Sequence, residues 1–467
     1  MNGTNASLFA RKALLLHFLL NASLMSAVAA AQESPHPGAA DSTYQIDLAT
    51  VLRLAGAQNL DVQLARNAVD EAHANYTSAV ERFLPSFVPS ASYLQHTGRD
   101  QRVEGPLLDV SKHSDTAGAY LTAQIPVGDA IFTALQTHQL VAASDAGATA
   151  QERDSALAAA QQYFDLVSAW ALVNVVNDAL NISQSYEQQL NEAVRIGIAF
   201  RGDAFRVQTQ TQRLQLDLTR ARQQQRLAAA RLVQTLHLEP LLELIPAERE
   251  PVPLALADLS ASPKDLIRTA LENRPELTRS TAQISAAEQS RRGAIYGPLI
   301  PTIGGQAFAG EFNGGGDVRV NGVTANGGGP RQDYAVGLSW KIGPGGLFDF
   351  GRIRASDAKL SAAQLSDEKL RDQVRREVVD GYTQVQSLFE QLRVARLNLN
   401  SAEDTLRLTR HRKELGVGIV LEDIQAQQEL LKARSEYVVI VTQLNQQQYG
   451  LMRGVGAPLR TPSGDPK

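Results

Sequence analysis

The stretch RIGIAFRGD, residues 195–203, returns later in the chain as ELGVGIVLE, residues 414–422. Each copy places a glycine-marked turn between two segments rich in alanine, glutamine and leucine, which is typical of the tip of a helical hairpin. Around these tips, residues 46–236 recur as residues 264–455. A repeat of that length exceeds the roughly 20–50 residues of a solenoid unit. The sequence therefore predicts one architecture built from two similar halves.

Long helices dominate the predicted secondary structure. Ala150–Arg195 and Leu347–Leu415 contain few residues that break helices. In the second segment, apolar residues follow one another in steps of four and three: Leu388, Leu392, Ala395, Leu399, Ala402 and Leu406. Such a 3.5-residue repeat makes helices supercoil around their neighbours. We therefore expect coiled-coil helices of about 65 residues, which would be roughly 100 Å long.

Two windows, Phe83–Val127 and Pro301–Ile342, break the helical pattern. In them apolar residues alternate with polar or small ones, as in Ala119–Ile125. A period of two indicates strands with one apolar and one polar face. We predict four strands, at about residues 86–98, 115–127, 302–313 and 333–343. The concentration of aromatic residues in both windows favours the girdle of a transmembrane barrel, and a pair of soluble hairpins is the alternative.

Four strands are too few to close a barrel with a usable lumen, but three copies of the chain would supply twelve. The predicted fold class is therefore mainly α with β, with an internal duplication. It combines a long coiled-coil helical barrel with a 12-stranded transmembrane β-barrel formed by a homotrimer, four strands per chain. We assign the first structural repeat to residues 46–238, a proline-rich linker to 239–263, the second repeat to 264–455, and a C-terminal tail to 456–467.

The N-terminus predicts a secretory signal peptide over residues 1–31, followed by an extended segment, residues 32–45. Arg11 and Lys12 precede the apolar stretch Ala13–Ala30, which ends in small residues. A membrane anchor is the alternative for this stretch. The chain has no cysteine, which excludes disulfides and a lipid-modified N-terminal cysteine. We expect no further transmembrane helix, so a chain that spans a membrane would do so as a closed β-barrel.

Several classes of function find no support in the sequence. The formal net charge is −4, and no basic patch rich in aromatics is present, which argues against nucleic acid as a partner. The histidines show no metal-ligand spacing, and the glycine runs 314–316 and 327–329 lack the context of a phosphate-binding loop. No nucleophile and base are placed together. We therefore expect neither an enzyme nor a bound metal or cofactor.

The stretch GPGGLFDFGR, residues 343–352, resembles the strand-to-helix signature of the TolC-like outer-membrane efflux protein family. The glycine-containing tips, each followed by a long helix, are also similar, and the resemblance covers about Tyr44–Pro458. It implies a passive, trimeric export channel in the lipid of a Gram-negative outer membrane, extending into the periplasm. The implied partners are a periplasmic adaptor and an inner-membrane pump of the RND or ABC type, as in a tripartite efflux pump or type I secretion system.

The resemblance also implies a gated aperture at the periplasmic tip. Asp203 and Glu422 match family aspartates that narrow the pore. Gln425 replaces a further aperture aspartate, and Asp423 would compensate for it from a direction about 100° around the helix. A ring of such carboxylates would favour cations. The alternative is that Asp203, Glu422 and Asp423 only stabilise helix N-termini.

Two further sets of residues follow from the resemblance. The first matches the region that contacts the adaptor: Arg195, Gly197, Leu415, Gly416 and Gly418. Glycine would permit these tight turns with or without an adaptor. The second consists of prolines where strands would lead into or out of helices: Pro85, Pro126, Pro301 and Pro344. Proline suits such junctions because it fixes φ and ends a helix. The competing functional hypothesis is a secreted coiled-coil structural or adhesive protein without a pore.

Overall fold

The computed structural model describes residues 43–101, 105, 107–240, 242–256, 261–316, 319–320, 323–324, 327–414 and 419–459. They form a mainly helical protein with one four-stranded sheet and two short strand pairs, which confirms the predicted combination of long helices with some strands. The predicted signal peptide and the tip residues Leu415, Gly416 and Gly418 lie outside the described residues.

The helices follow the same order in both halves: two short helices, a very long one and a shorter returning one. In the first half they are α1 (Leu48–Ala57), α2 (Leu60–Glu81), α3 (Val127–Arg195) and α4 (Arg201–Thr235). In the second half they are α5 (Pro263–Asn273), α6 (Pro275–Tyr296), α7 (Phe350–Glu414) and α8 (Val420–Gly454). With 69 and 65 residues, α3 and α7 are each about 100 Å long.

The apolar heptad residues of α7 lie in the contact with α8. Leu388, Ala395, Ala402 and Leu406 are buried, and Leu392 and Leu399 pack against the same clusters. These positions meet Leu430 and Leu444 of α8. The heptad stripe of α7 therefore packs against its neighbour α8.

Helix α3 is the central helix of the fold. It contacts α2, α4, α6 and α8, so it is packed on several sides. Contrary to the expectation from sequence, it contains an 18-residue window with a mean hydropathy of 1.2, long and apolar enough for a membrane span. In the described chain, 44% of that window is buried by packing inside the protein.

The larger sheet is antiparallel with the order β2 (Ser86–Gln101), β3 (Leu107–Pro126), β5 (Thr302–Gly316) and β8 (Gly327–Ser339). The smaller pairs are β1 (Thr43–Ile46) with β4 (Glu243–Pro246), and β6 (Arg319–Val320) with β7 (Val323–Thr324). Strands β2, β3, β5 and β8 extend further into the predicted loops than the alternation indicated.

Strand β8 ends at Ser339, before the predicted end at residue 343. The chain turns back there, because Leu347 N–H donates to the Lys341 carbonyl over 2.8 Å. Gly343 and Gly345 adopt φ of 117° and 74°, a left-handed region that glycine enters at low cost. Trp340 and Ile342 therefore continue the alternation in sequence while lying outside the strand.

The proline-rich linker is held against α8 by two buried carboxamides. Asn445 accepts a hydrogen bond from Leu254 N–H (2.9 Å) and donates to the Val252 carbonyl (2.9 Å). Gln448 likewise accepts from Leu256 N–H (2.7 Å) and donates to the Leu254 carbonyl (2.8 Å). An extended segment without a strand partner thus has its backbone groups satisfied by side chains.

Candidate functional site

The tip of the first hairpin is a well-formed helix C-terminus. Gly197 has φ of 82°, and its N–H donates to the Val194 carbonyl over 3.1 Å. Ile198 N–H donates to the Ala193 carbonyl over 2.9 Å. These two bonds form a Schellman motif, which favours glycine at this position because other residues are strained there. Arg195, in the last turn of α3, is exposed and pairs with Glu192.

Asp203 lies in the first turn of α4, where a carboxylate interacts favourably with the helix dipole. Its Oδ1 accepts a hydrogen bond from Arg206 one turn later, over 3.2 Å. The side chain is partly exposed at the end of the hairpin. The surroundings of Asp203 therefore fit a role in stabilising the helix N-terminus. They are also compatible with a position at an aperture.

Glu422 lies in the first turn of α8 and pairs across the second hairpin with Arg412 of α7. The Arg412 Nη1 to Glu422 Oε2 distance is 3.2 Å, and 36% of the Glu422 side chain is exposed. Arg412 was not among the residues that the sequence predicted for the site. Arg412 and Glu422 are equally distant in sequence from Val417, so folding the hairpin about that position would have brought them opposite one another.

Asp423, which was predicted beside Glu422 at the aperture, is buried in the described chain. It is only 3% exposed, because it projects between the helices towards α3. Its Oδ2 accepts a hydrogen bond from Gln427 over 2.9 Å, and its Oδ1 has no hydrogen-bond partner among the described residues. Burial together with the charges of Asp423 and Asp203 raises the pKa of Tyr186 to about 12. We therefore place Asp423 inside the helical packing.

The two hairpins meet at the level of these acids. Tyr186, Leu190, Val207 and Ile424 form an apolar cluster shared by α3, α4 and α8. Nearby, Gln428 donates to Gln210 over 2.7 Å, a bond that joins α8 to α4. An open cavity beside the cluster is lined by polar side chains, including Asn181, Ser185, Tyr186, Arg410, Asp423 and Gln427. The described part of the chain shows no group of three or more His, Asp or Glu residues that could hold a metal ion.

The four prolines lie at or near the junctions between strands and helices. Pro85 and Pro301 immediately precede β2 and β5, and Pro126 ends β3 where α3 begins. Pro344 differs, because it lies in the turn after β8 rather than at the strand end. That turn leads to Asp349, whose Oδ1 accepts from Arg352 N–H over 3.0 Å. Hydrogen bonds from the backbone of Arg352 and Gly345 hold the pKa of Asp349 below its ordinary value.

The four-stranded sheet has two chemically different faces. Directly opposed residues share a face, so the row Phe87, Leu121, Ala307 and Tyr334 lies on one side. Val336 and Leu338 of β8 continue this apolar face, and Val336 is 87% exposed. The opposite face carries Ser90, Thr116, Thr122, Gln306 and other polar residues. In the described chain, β2 and β8 each pair on one side only.

Comparison with known proteins agrees with these features. Residues 266–457 match the family described as outer membrane efflux protein. A membrane protein from Pseudomonas aeruginosa shares the fold with a TM-score of 0.74 at 18% identity, covering 92% of this chain and 100% of that one. The outer membrane protein VceC from Vibrio cholerae gives 0.73 at 15% identity, covering 88% and 96%. No curated protein sequence matches the chain.

A third similar structure is that of an outer membrane channel. The outer membrane channel MtrE of Neisseria gonorrhoeae, in its open state, gives a TM-score of 0.67 at 16% identity, covering 88% of this chain and 89% of that one. Fold and family match together define the class of protein, an outer membrane efflux channel rather than an enzyme. The match over residues 266–457 and the shared fold relate the chain to the TolC-like outer membrane efflux proteins, and they indicate the outer membrane as its location.

Proposed function

We propose that three copies of the chain form one export duct, with a 12-stranded barrel in the outer membrane and a helical barrel in the periplasm. The observation that carries this proposal is the sheet. Its apolar face is exposed, and its edge strands β2 and β8 each have an open side in the described chain. Exposed strand edges inside a lipid bilayer are too costly to persist. Pairing β2 of one copy with β8 of the next removes every edge and closes a barrel.

The duct is passive, so we propose that it works with an inner-membrane pump through a periplasmic adaptor, in a tripartite efflux pump or a type I secretion system. The family match supports this role. The adaptor would contact the hairpin tips around Arg195 and Gly197, where Ile196, Ile198 and Phe200 expose apolar side chains. Leu415, Gly416 and Gly418 would contribute from the second tip. Exposed apolar groups at a helical tip suit the end of a partner coiled coil.

We further propose that Asp203 and Glu422 set the charge of the periplasmic aperture. Both are partly exposed at the hairpin ends. Three copies would place six carboxylates around one axis and favour cations. Arg412 partly neutralises Glu422, so its pairing is a candidate control of the gate.

Single-channel recording in planar bilayers tests the duct and its aperture together. The purified protein should form channels selective for cations. Glu422→Gln should lower the cation-to-anion permeability ratio, read from the reversal potential in a KCl gradient, about two- to threefold, because Arg412 is then left unpaired. Glu436→Gln, further from the tip on the same helix, is the matched control. A protein that is soluble without detergent and never conducts would instead indicate the fibrous alternative.

A further inference from the structure

The polar face of the sheet contains a cluster of aromatic side chains. Tyr120, Phe308 and Asp333 lie in one row across β3, β5 and β8. Four residues further along these strands, Thr116 and Phe312 occupy the same face. Phe308 is only 2% exposed although it is on the face that carries serine, threonine and glutamine. Apolar rings are unusual at such positions, because the lumen of a transmembrane barrel is generally polar.

Two glycines make room for the Phe308 ring. Gly118 and Gly310 are opposed in the row between Phe308 and Phe312. A Cβ added at Gly118 would lie 2.8 Å from Phe308 Cε2, and one at Gly310 would lie 2.8 Å from Phe308 Cζ. The ring therefore lies flat across the glycine backbone. The Tyr120 ring packs beside it, with 4.6 Å between the ring centroids.

Arg331 covers both phenylalanines from the polar side. Its guanidinium carbon lies 6.0 Å from the centroid of Phe308 and 5.6 Å from that of Phe312. Both distances are within the range of a cation–π contact. Its Nε is 2.8 Å from Asp333 Oδ2 on the same strand. The guanidinium plane is thereby held over the rings, while half of the side chain and 37% of Phe312 stay exposed.

We propose that Arg331, Phe308, Phe312 and Tyr120 form a cargo-binding site in the barrel lumen that recognises planar aromatic carboxylates. This inference rests on the proposed function, since only a closed barrel turns the polar face towards a lumen. A guanidinium stacks on aromatic rings through its plane and binds carboxylates through paired N–H donors. Here the Nε edge faces Asp333, and the two Nη atoms carry four further donors. Three copies would place three such sites around the pore.

Block of single-channel current by 1-naphthoate tests the site. We expect 1-naphthoate to reduce the current at about a tenfold lower concentration than cyclohexanecarboxylate, which has the same charge but no aromatic plane. Arg331→Gln and, separately, Phe312→Leu should each raise the half-blocking concentration of 1-naphthoate about five- to tenfold. Asp333→Asn should lower it, because the guanidinium loses a competing carboxylate. Arg99→Gln is the matched control, since Arg99 also pairs with an aspartate, Asp109 of the neighbouring strand, but lies on the opposite face.

The outcomes separate the site from the channel. Equal block by both carboxylates, or block unchanged in Arg331→Gln and Phe312→Leu, overturns the site while conduction upholds the proposed duct. Block by the cation 1-naphthylmethylammonium that weakens in Arg331→Gln and Phe312→Leu as much as block by 1-naphthoate overturns the assignment to carboxylates, because a cation held by the aperture carboxylates does not depend on Arg331. A protein that forms no channel overturns the proposed function and, with it, this site. A loss of 1-naphthoate block in Arg99→Gln as large as in Arg331→Gln also overturns the site.

Discussion

The two halves of the chain form equivalent buried junctions with different side chains. In both, a residue between two short helices reaches the last carbonyl of the returning helix. In the first half Asn59 Nδ2 donates to the Thr235 carbonyl over 2.9 Å. In the second half Arg274 Nε donates to the Gly454 carbonyl over 2.6 Å. Asn59 is 5% exposed and Arg274 is 3% exposed, so each junction is buried.

The difference between the junctions follows from what each side chain can accept. Asn59 Oδ1 also accepts from Asp61 N–H (2.9 Å) and caps α2. An arginine side chain has no acceptor and cannot cap a helix N-terminus. Helix α6 instead begins with Pro275, whose missing N–H removes one unsatisfied donor. The charge of Arg274 is balanced by Glu377 of α7 at 2.6 Å, so the second half gains an ion pair that the first half lacks.

The helices of the two hairpins are also joined differently, by a neutral hydrogen bond in the first and by ion pairs in the second. Ser183 and Thr211 share a buried hydrogen bond of 2.9 Å between α3 and α4. Between α7 and α8 the links are ionic, from Arg434 to Glu403 and from Arg412 to Glu422, each 3.2 Å. In these hairpin contacts the first half uses a neutral bond and the second half uses charged ones, although elsewhere in the first half Arg66 of α2 pairs with Glu152 of α3 over 2.8 Å. Of the two hairpins, changes in salt and pH should therefore act mainly on the second.

Removing the buried arginine should produce the largest effect. Arg274→Ala leaves the Gly454 carbonyl without its donor and Glu377 without its partner. We expect a loss of about 3 kcal/mol in the free energy of unfolding, near the lower end for broken buried pairs because Glu377 is 37% exposed. Urea unfolding of the detergent-solubilised protein, followed by helical circular dichroism, measures it. A loss as small as that of Arg268→Ala, an exposed pair partner on α5, would contradict this role.

The cost of Arg274→Ala should depend on pH. Burial raises the pKa of Glu377, but hydrogen bonds from Gln373 and Arg274, with the charges of Arg274 and Arg453, outweigh it and leave the pKa lowered. A lowered pKa in the folded protein contributes stability above the ordinary value of about 4.3, and that stability is lost as the pH falls through the folded value. The difference between wild type and Arg274→Ala should therefore shrink below about pH 4. A difference that stays constant between pH 7 and pH 3.5 would show that Glu377 does not contribute.

The equivalent change in the first half should cost less and should not depend on acid. Asn59→Ala removes the cap of α2 and the bond to Thr235, which together contribute about 1–2 kcal/mol. Asn59→Asp keeps the capping oxygen but loses the donor, so it should recover part of the loss. The same urea titrations at pH 7 and at the acidic pH measure both variants. If Asn59→Ala destabilises the protein as strongly as Arg274→Ala, the contrast between the junctions is wrong.

Much of this fold was predictable because it depends on local period. The heptad at Leu388–Leu406 predicted the buried stripe of α7, and the alternation at Ala119–Ile125 predicted a strand with two faces. Partners brought together from distant positions were not predictable. Nothing near Arg274 in the sequence indicates that it meets Gly454.

The surroundings of the site residues were also not predictable from local sequence. The helical period predicts the direction of Asp423 relative to Glu422, about 100° around the helix. Whether that direction holds solvent or a neighbouring helix depends on where α3 lies, and α3 buries Asp423 against Tyr186. The adaptor-contact role of the tips and the pore-lining roles of Asp203 and Glu422 stay predictions.

The buried hydroxyl pair of the first hairpin should contribute a moderate, neutral stabilisation. Ser183→Ala leaves Thr211 with its bond to the Val207 carbonyl (3.1 Å), so only one side of the pair is lost. We expect a loss of about 1 kcal/mol. The midpoint of thermal unfolding should fall by the same amount at 50 mM and at 500 mM NaCl, because both groups are uncharged. A clear salt dependence would mean that the first hairpin also relies on charges.

The smallest effect on stability should come from the tip of the second hairpin. Arg412→Gln breaks a partly exposed ion pair, which contributes at most about 1 kcal/mol and is screened by salt. The unfolding midpoint should therefore fall slightly at low salt and converge with wild type at high salt. Its effect on conduction should be larger than its effect on stability, because unpaired Glu422 adds negative charge at the tip. The cation-to-anion permeability ratio should rise, opposite in sign to Glu422→Gln. If both variants shift that ratio in the same direction, Arg412 and Glu422 do not act as a pair at the aperture.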